Sequence, residues 1–231
     1  MARMIPSTCP SDTPSGAERT LFSALAEQLD DEWTVIHSLP WLDDTRRRLQ
    51  QGECDFLLVH PRHGMLAVEA KSGEVSYHPE RKRWERHGRP INKDPFLQAQ
   101  RSVHTLNGLL NRDVAGWSRG GLPFGFAAAL PDCDRLIGTF PPHVSPDLVI
   151  LKQDVPQLTE RIVAIRDARI THILVHWGEL QRYRSLGNYG YSGFVTRSRV
   201  HEAWVREQGL LRPLSTGLPT QIIELFQVQL E

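Results

Sequence analysis

Three residues in the first third of the chain carry side chains suited to phosphate chemistry: Asp55, Glu69 and Lys71. Two carboxylates offer the hard oxygen ligands that Mg²⁺ prefers, and an ammonium group stabilises negative charge that develops on a reacting phosphate. Hydrolysis of a phosphodiester bond uses both functions when the three side chains lie together. The elements that carry these residues decide whether they do.

The residues belong to a segment with the pattern of a β-hairpin. Apolar runs from Phe56 to His60 and from Met65 to Ala70 bracket a turn cluster at 61–64. Short apolar runs separated by turn residues predict two buried antiparallel strands.

A hairpin register centred on Arg62 sets Asp55 directly opposite Glu69, and strand alternation puts Lys71 on the same face. Two carboxylates about 5 Å apart repel by roughly 3 kcal/mol at an effective dielectric near 20, so a cation is expected between them. Lys71 offsets one charge, whereas a divalent cation offsets both. The alternative is an acid–base pair at a sheet edge that binds nothing.

The order of residues around this hairpin resembles a known family. Asp55, followed by Glu69-Ala70-Lys71 at the end of the next strand, is similar to the signature of the PD-(D/E)XK nuclease superfamily. Over about residues 15–130 the chain resembles the nuclease-related domain (NERD) branch, through Gly52-Glu53-Cys54-Asp55, His63-Gly64, Glu69-Ala70-Lys71-Ser72-Gly73, Trp84 and Asp94-Pro95-Phe96-Leu97-Gln98. The resemblance implies an α/β fold, a mixed sheet of the restriction-endonuclease type flanked by helices, and nuclease activity.

The resemblance also implies a metal site. Asp55 and Glu69 would hold Mg²⁺ or Mn²⁺ together with the backbone carbonyl of Ala70, since the alanine side chain offers no ligand. Glu18, on the first helix, would complete the site. Because Ser15-Gly16-Ala17-Glu18 is a capping box, the alternative is that Glu18 only caps that helix.

Two further roles follow from the same resemblance. Lys71 would position the attacking water or stabilise charge on the phosphate. Gln98 would orient Lys71 or that water, from the first turn of a helix that begins at Asp94-Pro95, a typical N-cap and first position. The alternative for Gln98 is a solvated side chain. The predicted catalytic residues are Asp55, Glu69, Lys71 and Gln98.

The remaining elements alternate between helical and extended patterns. Helical periodicity covers about Glu18 to Leu29 and Val155 to Arg166, and the predicted strands are Trp33–Leu39, Gly121–Leu130 and Pro146–Leu151. A polar loop is predicted from Asp43 to Gln51. We expect a loose arm over 1–14, a nuclease-like domain over 15–180 and an extension or connector over 181–231.

A basic segment follows the hairpin and surrounds an aromatic residue. Arg81, Lys82 and Arg83 precede Trp84, a combination that suits a strand of nucleic acid, for which we expect DNA. The alternative is an exposed hairpin with Trp84 in the core. Farther along, residues 182–212 hold six arginines against Glu202 and Glu207, which also indicates an anionic partner.

Composition bounds the remaining choices. The chain has 231 residues, is 40% hydrophobic, and carries no formal net charge, so total charge favours no partner. Three scattered cysteines predict no disulfide framework and a reducing compartment. The sequence contains neither an apolar signal segment nor a membrane span, so we expect a cytoplasmic protein.

Two hypotheses concern the C-terminal part. His172 and His176 with Glu179 have the spacing of a helical zinc site, but the alternating pattern of Ile170–Trp177 favours a strand, on which the pair is too far apart for one ion. Residues 209–231 resemble a connector that leads into a helicase, which predicts a helicase partner or a fused helicase and leaves Ile222, Ile223, Leu225 and Phe226 exposed.

Overall fold

The computed structural model describes residues 1–43, 49–113, 124–136, 140 and 144–166. Within these residues the chain forms nine strands and two long helices, α1 (Gly16–Gln28) and α2 (Pro95–Asp113). The strands are β1 (Arg3–Ile5), β2 (Thr34–Asp43), β3 (Gln50–His60), β4 (Gly64–Ala70), β5 (Val75–His78), β6 (Arg83–Arg86), β7 (Arg89–Pro90), β8 (Phe124–Leu130) and β9 (Val149–Leu151). Two 3₁₀ segments cover Pro146–Leu148 and Lys152–Gln157, and residues 158–166 are helical.

Six strands form one mixed sheet in the order β1-β2-β3-β4-β8-β9. β2, β3 and β4 are antiparallel neighbours, whereas β1, β8 and β9 join in parallel. α2 packs against β8 and β4, and the fully buried side chains of Phe56, Phe96 and Leu106 lie in the core. The predicted α/β architecture, a mixed sheet flanked by helices, is confirmed.

The β3–β4 hairpin has the predicted register. Phe56 pairs with Val68 and His60 pairs with Gly64, so the paired residues are symmetric about Arg62. Gly64 has a φ of +82°, a conformation that glycine adopts without the steric cost that a side chain would impose. The turn therefore closes without disturbing the ladder, and the register extends toward Asp55 and Glu69.

α1 begins where its cap predicts. The Ser15 hydroxyl accepts a hydrogen bond from the Glu18 N–H at 3.3 Å, which satisfies one of the free donors at the helix start. The buried face carries Leu21, Phe22 and Leu25 at helical spacing. This orientation leaves Glu18, one turn before Phe22, at the border of the buried face.

α2 also begins at its predicted position. Asp94 Oδ1 accepts hydrogen bonds from the N–H groups of Phe96 and Leu97, at 2.9 and 3.1 Å. Pro95 loses nothing at the first helical position, where its missing donor would have no partner. Among the described residues, no helix is both long and apolar enough to cross a membrane.

Gly52 allows β2 and β3 to pack closely against α2. It pairs with Trp41, and a Cβ atom at position 52 would lie 2.2 Å from the indole ring. The Trp41 indole N–H donates to Ser102 Oγ on α2 at 3.1 Å. The glycine is therefore required by the tryptophan that joins the sheet to the helix.

Three expectations need correction. Arg3–Ile5 is no loose arm, because it pairs with Thr34–Ile36 as a parallel edge strand. β2 continues to Asp43, past the predicted end at Leu39, because residues 39–43 pair with Gln50–Cys54 of β3. The segment predicted as strand from Pro146 starts with a 3₁₀ turn, since Ser145 caps it and proline donates no ladder hydrogen bond.

Candidate active site

A hydrogen bond joins Asp55 on β3 to the end of β4. Asp55 Oδ2 accepts a hydrogen bond from the Ala70 N–H at 2.8 Å, beside the last ladder pair, Phe56 and Val68. Within the described residues, no donor contacts the other carboxylate oxygen, Oδ1. Asp55 therefore has one oxygen that fixes its orientation and one that remains available.

Lys71 follows β4 and lies against Glu69. Its Nζ donates to Glu69 Oε1 at 2.5 Å, and its backbone N–H donates to the Ala129 carbonyl on β8 at 2.9 Å. The carboxylate is almost fully buried, with 3% of the Glu69 side chain exposed against 19% for Lys71. The backbone bond to β8 thus holds the ammonium group at the edge of a buried acid.

The surroundings of the two acids, Asp55 and Glu69, raise their pKa values. Burial, and then the neighbouring Glu69 carboxylate, raise the pKa of Asp55 to about 7. Burial also raises the pKa of Glu69, although Lys71 opposes this. Lys71 therefore does not fully compensate the buried Glu69 and partly buried Asp55 carboxylates, which is the condition that favours a further cation.

Glu18 joins the site from α1 through a residue that sequence analysis missed. Glu18 Oε2 lies 3.0 Å from Nε2 of His37, a buried residue of β2. This hydrogen bond lowers the pKa of Glu18, so the ionised carboxylate accepts and the imidazole donates. The Glu18 side chain faces His37 instead of only capping α1. A histidine inside an otherwise apolar strand was the signal that could have identified it.

Gln98 has an unusual environment. Its Oε1 is buried and has no hydrogen-bond partner among the described residues. Gln98 and Lys71 line the same groove, which has a volume of about 820 Å³. A buried carbonyl oxygen without a donor normally costs stability, so Gln98 Oε1 is available to accept a hydrogen bond from a donor in this groove.

The comparison with protein-family models matches residues 14–123 to the nuclease-related domain. Residues 14–123 are a nuclease-related domain. The match contains Glu18, Asp55, Glu69, Lys71 and Gln98. Searches of curated proteins and of solved structures give no match to this chain.

The donor groups of the nuclease-related domain fit a hard divalent cation. The three acids Asp55, Glu69 and Glu18 offer oxygen ligands, and both hairpin acids have raised pKa values that a cation would lower. Gln98 Oε1 adds a buried oxygen that needs a partner. The Ala70 N–H is taken by Asp55, and the role of its carbonyl stays a prediction.

The basic residues predicted to bind nucleic acid lie on the β5–β6 hairpin of the same domain. Trp84 is not available for base stacking, because it is buried against Phe96 with its indole N–H bonded to Asp94 at 2.7 Å. Arg81 and Arg83 form ion pairs with Glu85, and Lys82 is exposed. The prediction is wrong for the Trp84 ring, and the other three remain predictions.

A second group of possible metal ligands lies at the far end of β3, where Asp30, Glu32 and His60 approach one another. His60 Nδ1 accepts the N–H groups of Arg62 and His63, at 3.0 and 3.1 Å. Burial, and then His63, lower the pKa of His60 to about 4, so the neutral ring carries its proton on Nε2, toward Glu32. That protonated nitrogen is a donor and disfavours a metal.

Several predictions lie outside the described residues. These are the zinc alternative at His172, His176 and Glu179, the basic aromatic region at 182–212, and the connector with Ile222, Ile223, Leu225 and Phe226. Association with a helicase, which depends on that connector, stays a prediction.

Proposed function

We propose that this protein is a divalent-metal-dependent nuclease that hydrolyses phosphodiester bonds, with DNA as the preferred substrate. The observation that carries the proposal is the pair of mutually repelling carboxylates, the partly buried Asp55 and the buried Glu69, beside Lys71. The match of residues 14–123 to the nuclease-related domain supports it independently.

Each residue has a task that its contacts support. Asp55 and Glu69, with the Ala70 carbonyl and Glu18, would hold Mg²⁺ or Mn²⁺. Such an ion neutralises phosphate charge and lowers the pKa of bound water. Lys71, held by Glu69 at 2.5 Å, keeps a positive charge at the groove where negative charge develops during hydrolysis.

Gln98 provides the remaining polar contact. Its unpartnered Oε1 can accept a hydrogen bond from a water or from the Lys71 ammonium, both of which are donors. Because both residues line the same groove, Gln98 would orient the attacking water relative to Lys71. Nothing in this arrangement requires a covalent intermediate on the protein.

A substrate panel tests the proposal. End-labelled single-stranded, double-stranded and branched DNA and RNA would be incubated with the full chain and Mg²⁺, Mn²⁺ or chelator. Cleavage that depends on metal and is lost in Asp55→Asn supports the proposal. Binding without cleavage of any substrate would instead identify a catalytically inactive nucleic-acid-binding module of the same fold.

Metal affinity should depend on pH through Asp55. Because the pKa of Asp55 is raised to about 7, a proton competes with the metal at lower pH. Apparent affinity for Mn²⁺ should therefore fall by about tenfold per unit below about pH 7 and level off above it. Titration calorimetry without nucleic acid measures this, and a pH-independent affinity would show that Asp55 binds no metal.

His37 should act through Glu18. His37→Phe keeps the ring that packs against Phe22 and Phe56 but removes the N–H donor. We expect about tenfold weaker Mn²⁺ binding, a typical effect of losing the partner of a ligand. His37→Gln, which keeps a donor, should retain most of the affinity.

A double-mutant cycle separates positioning from a general structural effect. In a Glu18→Gln background, His37→Phe should cause no further loss of Mn²⁺ affinity, because the carboxylate that it orients is gone. An equal loss in both backgrounds would mean that His37 supports the fold and not the ligand.

A further inference from the structure

The groove beside Lys71 is lined mainly by the tight β6–β7 hairpin and the loop that follows it. Besides Lys71 and Gln98, its lining consists of Arg86, His87, Arg89, Pro90, Ile91, Asn92 and Lys93. All of the hairpin and loop residues except Ile91 are exposed. The groove is therefore an accessible, cationic continuation of the candidate active site.

Two of the cations that line the groove belong to one tight hairpin. Arg86 and Arg89 are directly paired across β6 and β7, and the two turn residues, His87 and Gly88, have positive φ values of 49° and 72°. A two-residue turn of this kind places the paired side chains on one face, where like charges repel. In the described part of the chain, no carboxylate forms an ion pair with Arg86, Arg89 or Lys93.

The neighbouring arginines of the same small sheet are compensated. Arg81 and Arg83 contact the buried Glu85 carboxylate at 3.1 and 2.7 Å. The fold thus pairs Arg81 and Arg83 at the β5–β6 turn with an anion, whereas Arg86 and Arg89 at the β6–β7 turn have no ion-pair partner among the described residues. A ligand with several negative charges fits the second group.

The groove is fixed to the catalytic residues. The His87 N–H donates to the Glu74 carbonyl at 3.3 Å, and the His87 ring packs so closely on Gly73 that a Cβ there would lie 2.5 Å from Nε2. Gly73 itself has a φ of +79°. At the other end, Lys71 and Gln98 are themselves part of the lining of the groove. A ligand in the groove therefore reaches the site.

We infer that this groove binds single-stranded nucleic acid, with phosphates on Arg86, Arg89 and Lys93 and the scissile phosphate at Lys71. The inference rests on the proposed function and adds its substrate form. A volume of about 820 Å³ is typical of a pocket for one small ligand and fits a few linked nucleotides of one strand. Pro90 and Ile91 add apolar surface for bases.

Binding without cleavage tests the inference separately from catalysis. The full chain carrying Asp55→Asn would be titrated in chelator against fluorescein-labelled single-stranded 12-nucleotide DNA and RNA and the matching DNA duplex, with anisotropy as the readout. The test variant adds Arg86→Ala, Arg89→Ala and Lys93→Ala. The matched control adds Arg62→Ala, Arg112→Ala and Lys152→Ala, the same charge change at other exposed positions.

We expect the affinity for the single strand to fall roughly tenfold or more in the test variant. The slope of log affinity against log salt concentration should become less negative by about 0.7 for each lost phosphate contact, about 2 in all. The control should stay within about twofold of its parent, since those cations line no part of the groove. These results, obtained with single-stranded DNA, single-stranded RNA or both, support the inference.

Three outcomes would overturn it. The first is that the duplex binds as tightly as the single strand and loses the same affinity when the groove residues are replaced. The second is a greater loss in a variant with Arg81→Ala, Lys82→Ala and Arg83→Ala, which would move the contact to the β5–β6 turn. The third is equal competition by poly-glutamate, which would indicate an acidic protein partner. Absence of cleavage in the parent chain would leave the binding result unaffected.

Discussion

Replacement of Asp55 by Asn, or of Glu69 by Gln, is expected to lower metal-dependent cleavage by about 10³-fold or more, a typical upper value for loss of a charge-stabilising group. Each change removes one of two carboxylates that converge where Asp55 accepts the Ala70 N–H. Single-turnover cleavage with saturating Mn²⁺ measures the loss. Asp134→Asn is the matched control, because its side chain is 82% exposed.

The same substitutions should not weaken the metal-free fold. In chelator the two acids repel each other, and replacement of either by a neutral amide relieves that repulsion. We expect melting temperatures equal to or above that of the parent, where each kcal/mol corresponds to about 2–4 °C for a protein of this size. If both variants melt several degrees lower, the carboxylates are structural partners and the metal-site proposal loses its main support.

The stability of the metal-free protein should also show the raised pKa of Asp55. Between about pH 4 and 7 the folded state keeps a proton on Asp55 that the unfolded chain releases, so the free energy of unfolding falls as pH rises through this window. Asp55→Asn should remove most of that slope. A parent and variant with parallel profiles would contradict the raised pKa.

Lys71→Ala is expected to lower the cleavage rate at saturating substrate by about 10²–10³-fold while nucleic-acid affinity changes little. The ammonium lies 2.5 Å from Glu69 at the edge of the site, so its charge acts on the reacting phosphate more than along the bound strand. Rapid-quench rates and anisotropy in chelator separate the two effects. Equal loss of rate and affinity would make Lys71 a docking residue.

Two other lysine variants sharpen this result. Lys71→Arg should restore activity only in part, because a planar guanidinium cannot replace a compact ammonium against Glu69. Lys93→Ala should show the opposite pattern to Lys71→Ala, weaker binding with little change in the saturated rate, since Lys93 lines the groove beyond Gln98.

The hairpin and its chemistry could be predicted from sequence because they depend on local order. Two apolar runs around a short turn centre the hairpin on Arg62, and that register brings Asp55 to Glu69. The caps of α1 and α2 are equally local, since Ser15 and Asp94 bond to N–H groups within three residues.

The tertiary structure decided which polar groups meet across elements. Glu18 meets His37 because α1 contacts β2 there, through Phe22 and the His37 ring. Gln98, on α2, lines the groove with a buried oxygen that has no partner among the described residues. Likewise, Glu85 pairs with Arg81 and Arg83 but not with Arg86, a choice made by strand pairing and not by composition.

The sequence by itself thus determined the acids, the lysine and the register that joins them, because those contacts follow from strand period and one short turn. Only the tertiary structure decided that Trp84 is core, that Arg3–Ile5 joins the sheet, and that two arginines line a groove with no ion-pair partner among the described residues. The physical reason is that burial and charge compensation depend on neighbours distant in sequence, which no local pattern records.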